Sequence, residues 1–428
     1  MVLLIFLVTL ILLFWRPFSF PIWVYSTLGA IVCFITNKIN IQDMLFVFDL
    51  IWDSSLTLIG LILISLALEK SGFFDFISIK IIKFSITRTN SVNLNRMLFH
   101  LLVFTSAVAS LLGNDGAILV VTPIVVAIIS KFKFDSKNDK YKCIYFLLFI
   151  GFCCDFLSNT LIVSNLTNII TAKYFHINFL DFFKNMLMPS ILTFAVFVLI
   201  CNILGRKILP KNVVFLDTNT SYCKNIFVIN MSCLVVFTIG LLLIDKVNIS
   251  MGVFTLFSAF IFLLLNYKSN INIKFIKKAP WGILIFSFGL YIVVYGFYKE
   301  ISNELILKWI DFWVDYEFVG LVILGFTSAI FSSIFNNLPI IMIGNLVLND
   351  YFNDFFTIKE LIYIHILGCN IGSKITPIGS LSTLLWFEIL LKYNIKIKLK
   401  VYFLYAFMFG TITLFFAILG VKINTYLF

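Results

Sequence analysis

Two acids and one lysine lie in stretches that otherwise read as hydrocarbon-facing. Asp115 and Asp155 fall inside long apolar runs, and Lys374 is the single lysine of a third polar-tipped run, 370–383. A charged side chain at the centre of a bilayer is disfavoured by on the order of 2.5–3.5 kcal/mol even on insertion scales, so each should face a cavity or a partner. Buried titratable groups of this kind can take up and release protons, and Lys374 can also act as charge partner to Asp155 or Asp115. The plainer alternative is local structure. Asp is a good helix N-cap, and a lysine can hold carbonyls left free by a break at Pro377.

Neutral amides and hydroxyls surround these three. Asn114 precedes Asp115. Ser158, Asn159, Ser164 and Asn165 follow Asp155, with Asn168 beyond. Asn336 and Asn337 interrupt another apolar run. Ser373, Thr376, Ser380, Ser382 and Thr383 surround Lys374. A lone Ser or Asn in a membrane helix is commonly interhelical glue. A dense cluster at two interruptions reads better as a binding site for a small, uncharged, hydroxyl-bearing solute. A multiply charged anion calls for arginine, and neither 155–168 nor 370–383 contains one.

The elements that must position these residues come in two related sets. Asn114-Asp115 is echoed by Asn336-Asn337, and the interruption 155–168 is echoed by 370–383. In that echo Cys154 stands with Cys369, Asp155 with Asn370, and Asn159 with Lys374. Two broken elements at matching places in two halves mark a secondary transporter, whose unwound backbone lines a site near the bilayer midplane.

Composition agrees. The chain has 428 residues, 61% hydrophobic and 12% charged, and its mean hydropathy is +1.05. Many stretches reach the roughly 17–25 residues needed to span hydrocarbon. Met1–Trp15 is apolar from the start and lacks the basic region and cleavage site of a removed signal, so it reads as a retained first helix. The net charge of +11 marks cytoplasmic loops rather than nucleic-acid binding. Eight Cys, mostly within apolar segments, do not form a disulfide framework. No HExxH or GxxxxGK[ST] occurs. The expectation is a transporter rather than an enzyme, with no cofactor, no metal site and no ATPase motif of its own.

Loop charge sets the expected layout. The basic loops 69–96, 131–142, 205–224, 268–278 and 392–400 all belong in the cytoplasm. Spans at 2–20, 22–37 and 51–68 then precede a hairpin, 97–130, with Gly113-Asn114-Asp115-Gly116 at its tip. A broken helix, 143–172, and a return, 185–204, complete a first repeat, 1–204. A cytoplasmic linker, 205–225, leads to the second repeat, 226–428. Its spans are 226–244, 250–267 and 279–297. An acidic outer loop, 298–316, a hairpin, 317–348, a broken helix, 357–391, and a last span, 401–420, follow. The odd number of crossings inverts the second repeat. Residues 72–84 read as an interfacial amphipathic helix.

Several strings bear a family resemblance. Gly113–Ala127 resembles the NDGA…LTPIV signature, and Leu161–Ile169 the LIVSNLVNI string, of the ArsB-type arsenite efflux permeases within the ion transporter superfamily. Glu69–Phe74, Ala279–Gly296 and Lys374–Trp386 are similarly close, and the likeness runs in order along nearly the whole chain. It implies an all-α polytopic protein with the inverted-repeat ion-transporter fold, about ten transmembrane helices plus two hairpins, two of the helices broken. It implies export of arsenite and antimonite from the bacterial cytoplasm in exchange for protons, across the plasma membrane. In some members a soluble arsenite-stimulated ATPase is a partner. The signature residues carry over to Asn114, Asp115, Asp155, Ser164, Asn165, Asn336, Asn337, Lys374, Thr376 and Ser380. Two departures stand out. Cys153-Cys154 replaces small or aliphatic residues, and Asn370 replaces a common Asp, so that position cannot carry a proton.

The two lines of reasoning converge. Arsenite at neutral pH is mostly uncharged arsenous acid, which amides and hydroxyls can bind. Expected substrate contacts are Asn114, Ser158, Asn159, Ser164, Asn165, Asn336, Asn337, Thr376 and Ser380, and expected proton-coupling residues are Asp115, Asp155 and Lys374. The alternatives are a sibling transporter for a carboxylate, silicate or sodium, or a channel.

Overall fold

The computed structural model describes residues 1–86, 91–133, 136, 139, 142–210, 213–215, 224–267, 281–300, 317–351 and 355–427. The basic loop 268–278, most of the acidic loop 298–316, and Asp354 lie outside them. Sixteen α-helices are described. The first half holds α1 (Val2–Trp15), α2 (Ile22–Ile35), α3 (Ile41–Lys70), α4 (Phe73–Ser85), α5 (Leu94–Ser130), α6 (Ile144–Phe156), α7 (Leu166–Tyr174) and α8 (Phe179–Ile208). The second holds α9 (Lys224–Val247), α10 (Met251–Leu265), α11 (Gly282–Glu300), α12 (Glu317–Phe335), α13 (Asn337–Tyr351), α14 (Phe355–Gly372), α15 (Leu381–Lys392) and α16 (Leu399–Leu427). Seven of these, α3, α5, α8, α9, α11, α12 and α16, are long and apolar enough to cross a membrane.

The first two expected spans are shorter in the structure than the sequence suggests. α1 and α2 have 14 residues each. At 1.5 Å per residue that is about 21 Å, against a hydrocarbon core of about 30 Å. Pro17 and Pro21 are the cause, because they bracket the turn between the two helices. The segment 72–84 is helical, as α4, and it buries Phe73, Phe74, Ile81 and Ile82.

α5 is 37 residues long with one non-helical residue, Gly113, at φ 77° and ψ 160°. A short sheet shows what happens there. Its strands are β1 (Ser91–Val92), β2 (Phe132–Lys133) and β3 (Val213–Phe215), in the order β1-β3-β2 and antiparallel. β1 leads into α5 and β2 follows it, so the ends of α5 are two strand spacings apart, about 10 Å. A straight helix of that length would hold them about 55 Å apart. The chain therefore doubles back at Gly113, where a side chain would be strained. The same sheet gathers three of the basic loops onto one face of the protein.

The far end of α3, about 45 Å away along its 30 residues, carries an ionic clasp. Lys38 meets Glu300 at 2.5 Å, the chain's amino group meets Glu300 at 3.5 Å, and Lys299 meets Asp43 at 2.9 Å.

The two halves pack by exchange. α3 lies along α10 while α11 lies along α2. α5 packs on α6 while α12 packs on α14. α5 meets α15 while α13 meets α7, and α8 lies along α16. Each contact thus has a counterpart with the halves swapped. The α12–α13 pair breaks at Asn336, whose φ of 77° equals that of Gly113. Asn is among the few side-chain-bearing residues that tolerate positive φ.

Candidate functional site

Both interruptions have one form: a helix end, a 3-10 turn and a new helix start. In the first, α6 ends at Phe156, the turn is Ile162–Ser164 and α7 begins after Asn165. In the second, α14 ends at Gly372, the turn is Ser373–Ile375 and α15 begins after Ser380. Such breaks strip backbone groups of their helical partners, and at membrane depth these must be satisfied from within the protein. Several predicted site residues do this. Ser158 donates to the Asp155 carbonyl at 2.7 Å, and Ser164 to the Ser158 carbonyl at 2.7 Å. Asn165 caps α7, accepting from the Thr167 backbone N–H at 3.3 Å. Thr376 donates to the Ser333 carbonyl and accepts from the Gly379 N–H at 3.1 Å.

Asp155 crosses between the interruptions. It is 1% exposed. Its Oδ1 accepts from the Asn114 amide at 3.0 Å and the Ser382 hydroxyl, and its Oδ2 is paired with the Lys374 ammonium. Lys374 is itself wholly buried, and the Tyr402 hydroxyl donates to its carbonyl at 2.6 Å. Ser380 lies one step out, 2.6 Å from the Ser382 hydroxyl. A buried pair of this kind is stable only with further hydrogen bonds around it, and Ser382 and Asn114 supply them.

Asn370 makes the converse connection. Its Nδ2 donates to Asn159 Oδ1 at 2.7 Å and to Asn168 Oδ1 at 2.8 Å, and its Oδ1 accepts from the Thr167 hydroxyl at 2.5 Å. At the constant chain offset that relates the interruptions, Asp155–Lys374 corresponds to Asn370–Asn159, and Asp155–Ser382 to Asn370–Thr167. Each half sends one side chain into the other half at equivalent positions.

The hairpin tips rest on their own half's interruption. The Asn337 N–H donates to the Gly379 carbonyl at 2.9 Å, and Asn336 Nδ2 to the Ile378 carbonyl at 3.2 Å. At the other tip, a Cβ on Gly113 would stand 3.5 Å from the Val163 carbonyl. The shared positive φ aligns Gly113 with Asn336, hence Asn114 with Asn337 and Asp115 with Leu338. The tips therefore match one residue away from the register of the sequence echo.

Asp115 is unlike Asp155. It is 5% exposed, and Asn114 Oδ1 accepts from its backbone N–H at 2.9 Å. Among the described residues its carboxylate accepts no hydrogen bond. At the second tip the Asn337 side chain likewise has no hydrogen-bond partner among the described residues. Cys154 and Cys369 are buried beside Asp155 and Asn370. No group of three His, Cys, Asp or Glu able to hold a metal occurs among the described residues.

Thr167 and Tyr402 are not singled out by the sequence, and Ser382 stands there only as one of a polar crowd. Laying 155–168 against 370–383 pairs Thr167 with Ser382, which is the available signal for both. Nothing in the sequence points to Tyr402.

A family model described as "Arsenical pump membrane protein", ArsB, matches residues 1–425. The chain belongs to the ArsB family. The arsenical pump membrane protein of Escherichia coli is 31% identical over 407 residues, covering 93% of this chain and 92% of the relative. The Yersinia enterocolitica arsenical pump membrane protein gives the same figures. A putative arsenical pump membrane protein of Bacillus subtilis is 25% identical over 420 residues, covering 92% of each. This ArsB-family chain is a multi-pass protein of the bacterial inner membrane, and its family's work is arsenical efflux. The Asp155–Lys374 centre, the two interruptions and the two tips are therefore the candidate transport site of an ArsB-family chain.

Proposed function

We propose that the chain is a secondary exporter of arsenite and antimonite that exchanges them for protons by alternating access. The reading rests above all on the unequal state of two buried carboxylates. Asp155 is held by an ammonium, a hydroxyl and an amide, and serves as a fixed neutral lock between the interruptions. Asp115, with no hydrogen bond on its carboxylate, is the group that gains and loses the proton. Arsenous acid is small, uncharged and hydroxylated, and it binds between the tips, with Asn337 and Asn114 among its contacts. The exchanged packing of the halves supports an inverted repeat, 1–204 and 226–428, around this site. A soluble arsenite-stimulated ATPase, where one takes part, meets the basic face that carries the sheet.

The test is arsenite uptake into everted membrane vesicles, with and without an imposed pH gradient. The expected result is gradient-driven uptake by the parent chain, abolished in Asp115→Asn although that variant inserts normally. Undiminished gradient-driven uptake by Asp115→Asn would remove Asp115 from the cycle. No uptake by the correctly inserted parent under any gradient would shift the substrate to a carboxylate or silicate.

A further inference from the structure

The Trp386 indole N–H is buried and has no hydrogen-bond partner among the described residues. An unmade buried donor is disfavoured, and such a group in a native structure calls for a reason. Its place suggests one. The indole packs against Gly151 of α6, where an added Cβ would stand 2.7 Å from Cε2 and 2.9 Å from Nε1. Gly151 is on one helical stripe with Ile144, Leu148 and Asp155. At one end of that stripe is a small cleft lined by Ile144, Tyr145, Leu148, Ile397, Lys398 and Val401. At the other end is Asp155, bonded to Ser382, which is one turn before Trp386 on α15. The indole thus stands between the cleft and the charged centre. Tyr402, which holds the Lys374 carbonyl, flanks it with ring centroids 6.2 Å apart.

The corresponding place in the other half is built differently. The position equivalent to Trp386 there is Thr171, which accepts from Asn345 Nδ2 at 3.0 Å and donates to Asn345 Oδ1 at 3.3 Å. That position has a small side chain whose hydrogen bonds are satisfied. Trp386 has a large ring and a spare donor. It also lies toward Lys392 and Lys398, on the side where the charge rule puts the cytoplasm.

We propose that Trp386 is a substrate-contacting residue of the inward passage. Its ring closes the path between the cleft and Asp155, and its N–H donates to a hydroxyl oxygen of the neutral hydroxylated substrate in transit. The substrate part rests on the transport reading above. The closure part does not.

Two measurements separate the parts. The first uses a chain whose only cysteine is Cys154, three residues from Gly151, and a membrane-impermeant maleimide applied to everted or right-side-out vesicles. Trp386→Ala should speed labelling from the cytoplasmic face by roughly tenfold or more, as expected for an opening eased by about 1.4 kcal/mol, and leave labelling from the outer face unchanged. Equal rates with and without the indole, or a gain from the outer face alone, would overturn the closure. Labelling from both faces would mark an unfolded variant, and Trp386→Leu then provides the same comparison. The second measurement is arsenite uptake by everted vesicles. Trp386→Phe keeps the ring and drops the donor, so labelling should stay slow while KM rises roughly five- to tenfold with kcat little changed. Trp386→His, which keeps a ring N–H, should recover part of that loss. An unchanged KM in Trp386→Phe would overturn the contact. Because labelling needs no arsenite, failure of the substrate assignment leaves the closure result readable.

Discussion

Asp155 and Asn370 hold corresponding places, and each reaches partners in the opposite half, Asp155 while also accepting from Asn114 of its own. Their chemistry is nevertheless different. One is an anion answered by an ammonium, and the other is an amide answered by two amides and a hydroxyl. The directions of the contacts match while their charge differs. The tips differ in the same sense, since the counterpart of Asp115 is Leu338. All the buried charge of the centre is thus on one diagonal, formed by the first half's two acids and the second half's lysine. A symmetric frame becomes a directional one through three side chains.

Swapping the chemistry between the halves tests this contrast. Asp155→Asn gives the first half the amide of the second and strands Lys374. Breaking a buried pair on one side costs about 3–5 kcal/mol. Thermal unfolding in detergent should show that loss for Asp155→Asn and for Lys374→Met, and the double variant should recover most of it. Asn370→Asp makes the converse change. A carboxylate there meets the acceptor oxygens of Asn159 and Asn168, so stability should fall by about 1–3 kcal/mol. Adding Asn159→Lys copies the Asp155–Lys374 pair and should restore part of it. A double-mutant cycle that shows no coupling between 370 and 159 would argue that the halves are not equivalent there.

The tips predict smaller effects. Gly113→Ala puts a side chain into a conformation open essentially to glycine, at about 1–3 kcal/mol. Asn336→Gly, which trades two hydrogen bonds for relief at positive φ, should stay within about 1 kcal/mol of the parent. The smallest change in stability is expected for Asp115→Leu, which copies Leu338. With no hydrogen bond to lose and a buried carboxyl removed, unfolding should shift by less than about 1 kcal/mol while pH-driven uptake disappears. A large destabilisation would show that the Asp115 carboxylate is held in place.

Much of the centre is legible in the residues themselves. Acids in apolar runs imply partners, and Lys374 is one of the few available to Asp155. Polar runs at matching places imply two breaks. Gly on both sides of Asn114-Asp115 implies a tip, and the sheet shows α5 folding back there. What stays hidden depends on distances through space rather than along the chain. A one-residue shift in tip register cannot be seen when Asn occurs twice in a row at 336 and 337. The direct bonds from Ser382 and Thr167 need both interruptions in view at once. The shortness of α1 and α2 is masked by apolar flanks that look continuous until Pro17 and Pro21 are weighed as stops. The sheet has two or three residues per strand, too few for any alternation to register.

That sheet also imposes an order on biogenesis. β1 and β2 do not pair with each other and are joined only through β3, which lies between them. β3 lies beyond α8, so the mouth of the first hairpin has no staple while α5, α6, α7 and α8 are emerging from the ribosome. It is fastened when residues 213–215 arrive, before the first helix of the second half is made. The mouth of the first hairpin is thus closed by a strand from beyond α8, while the packing of α2, α3 and α8 and the pairing of Asp155 wait for the second half.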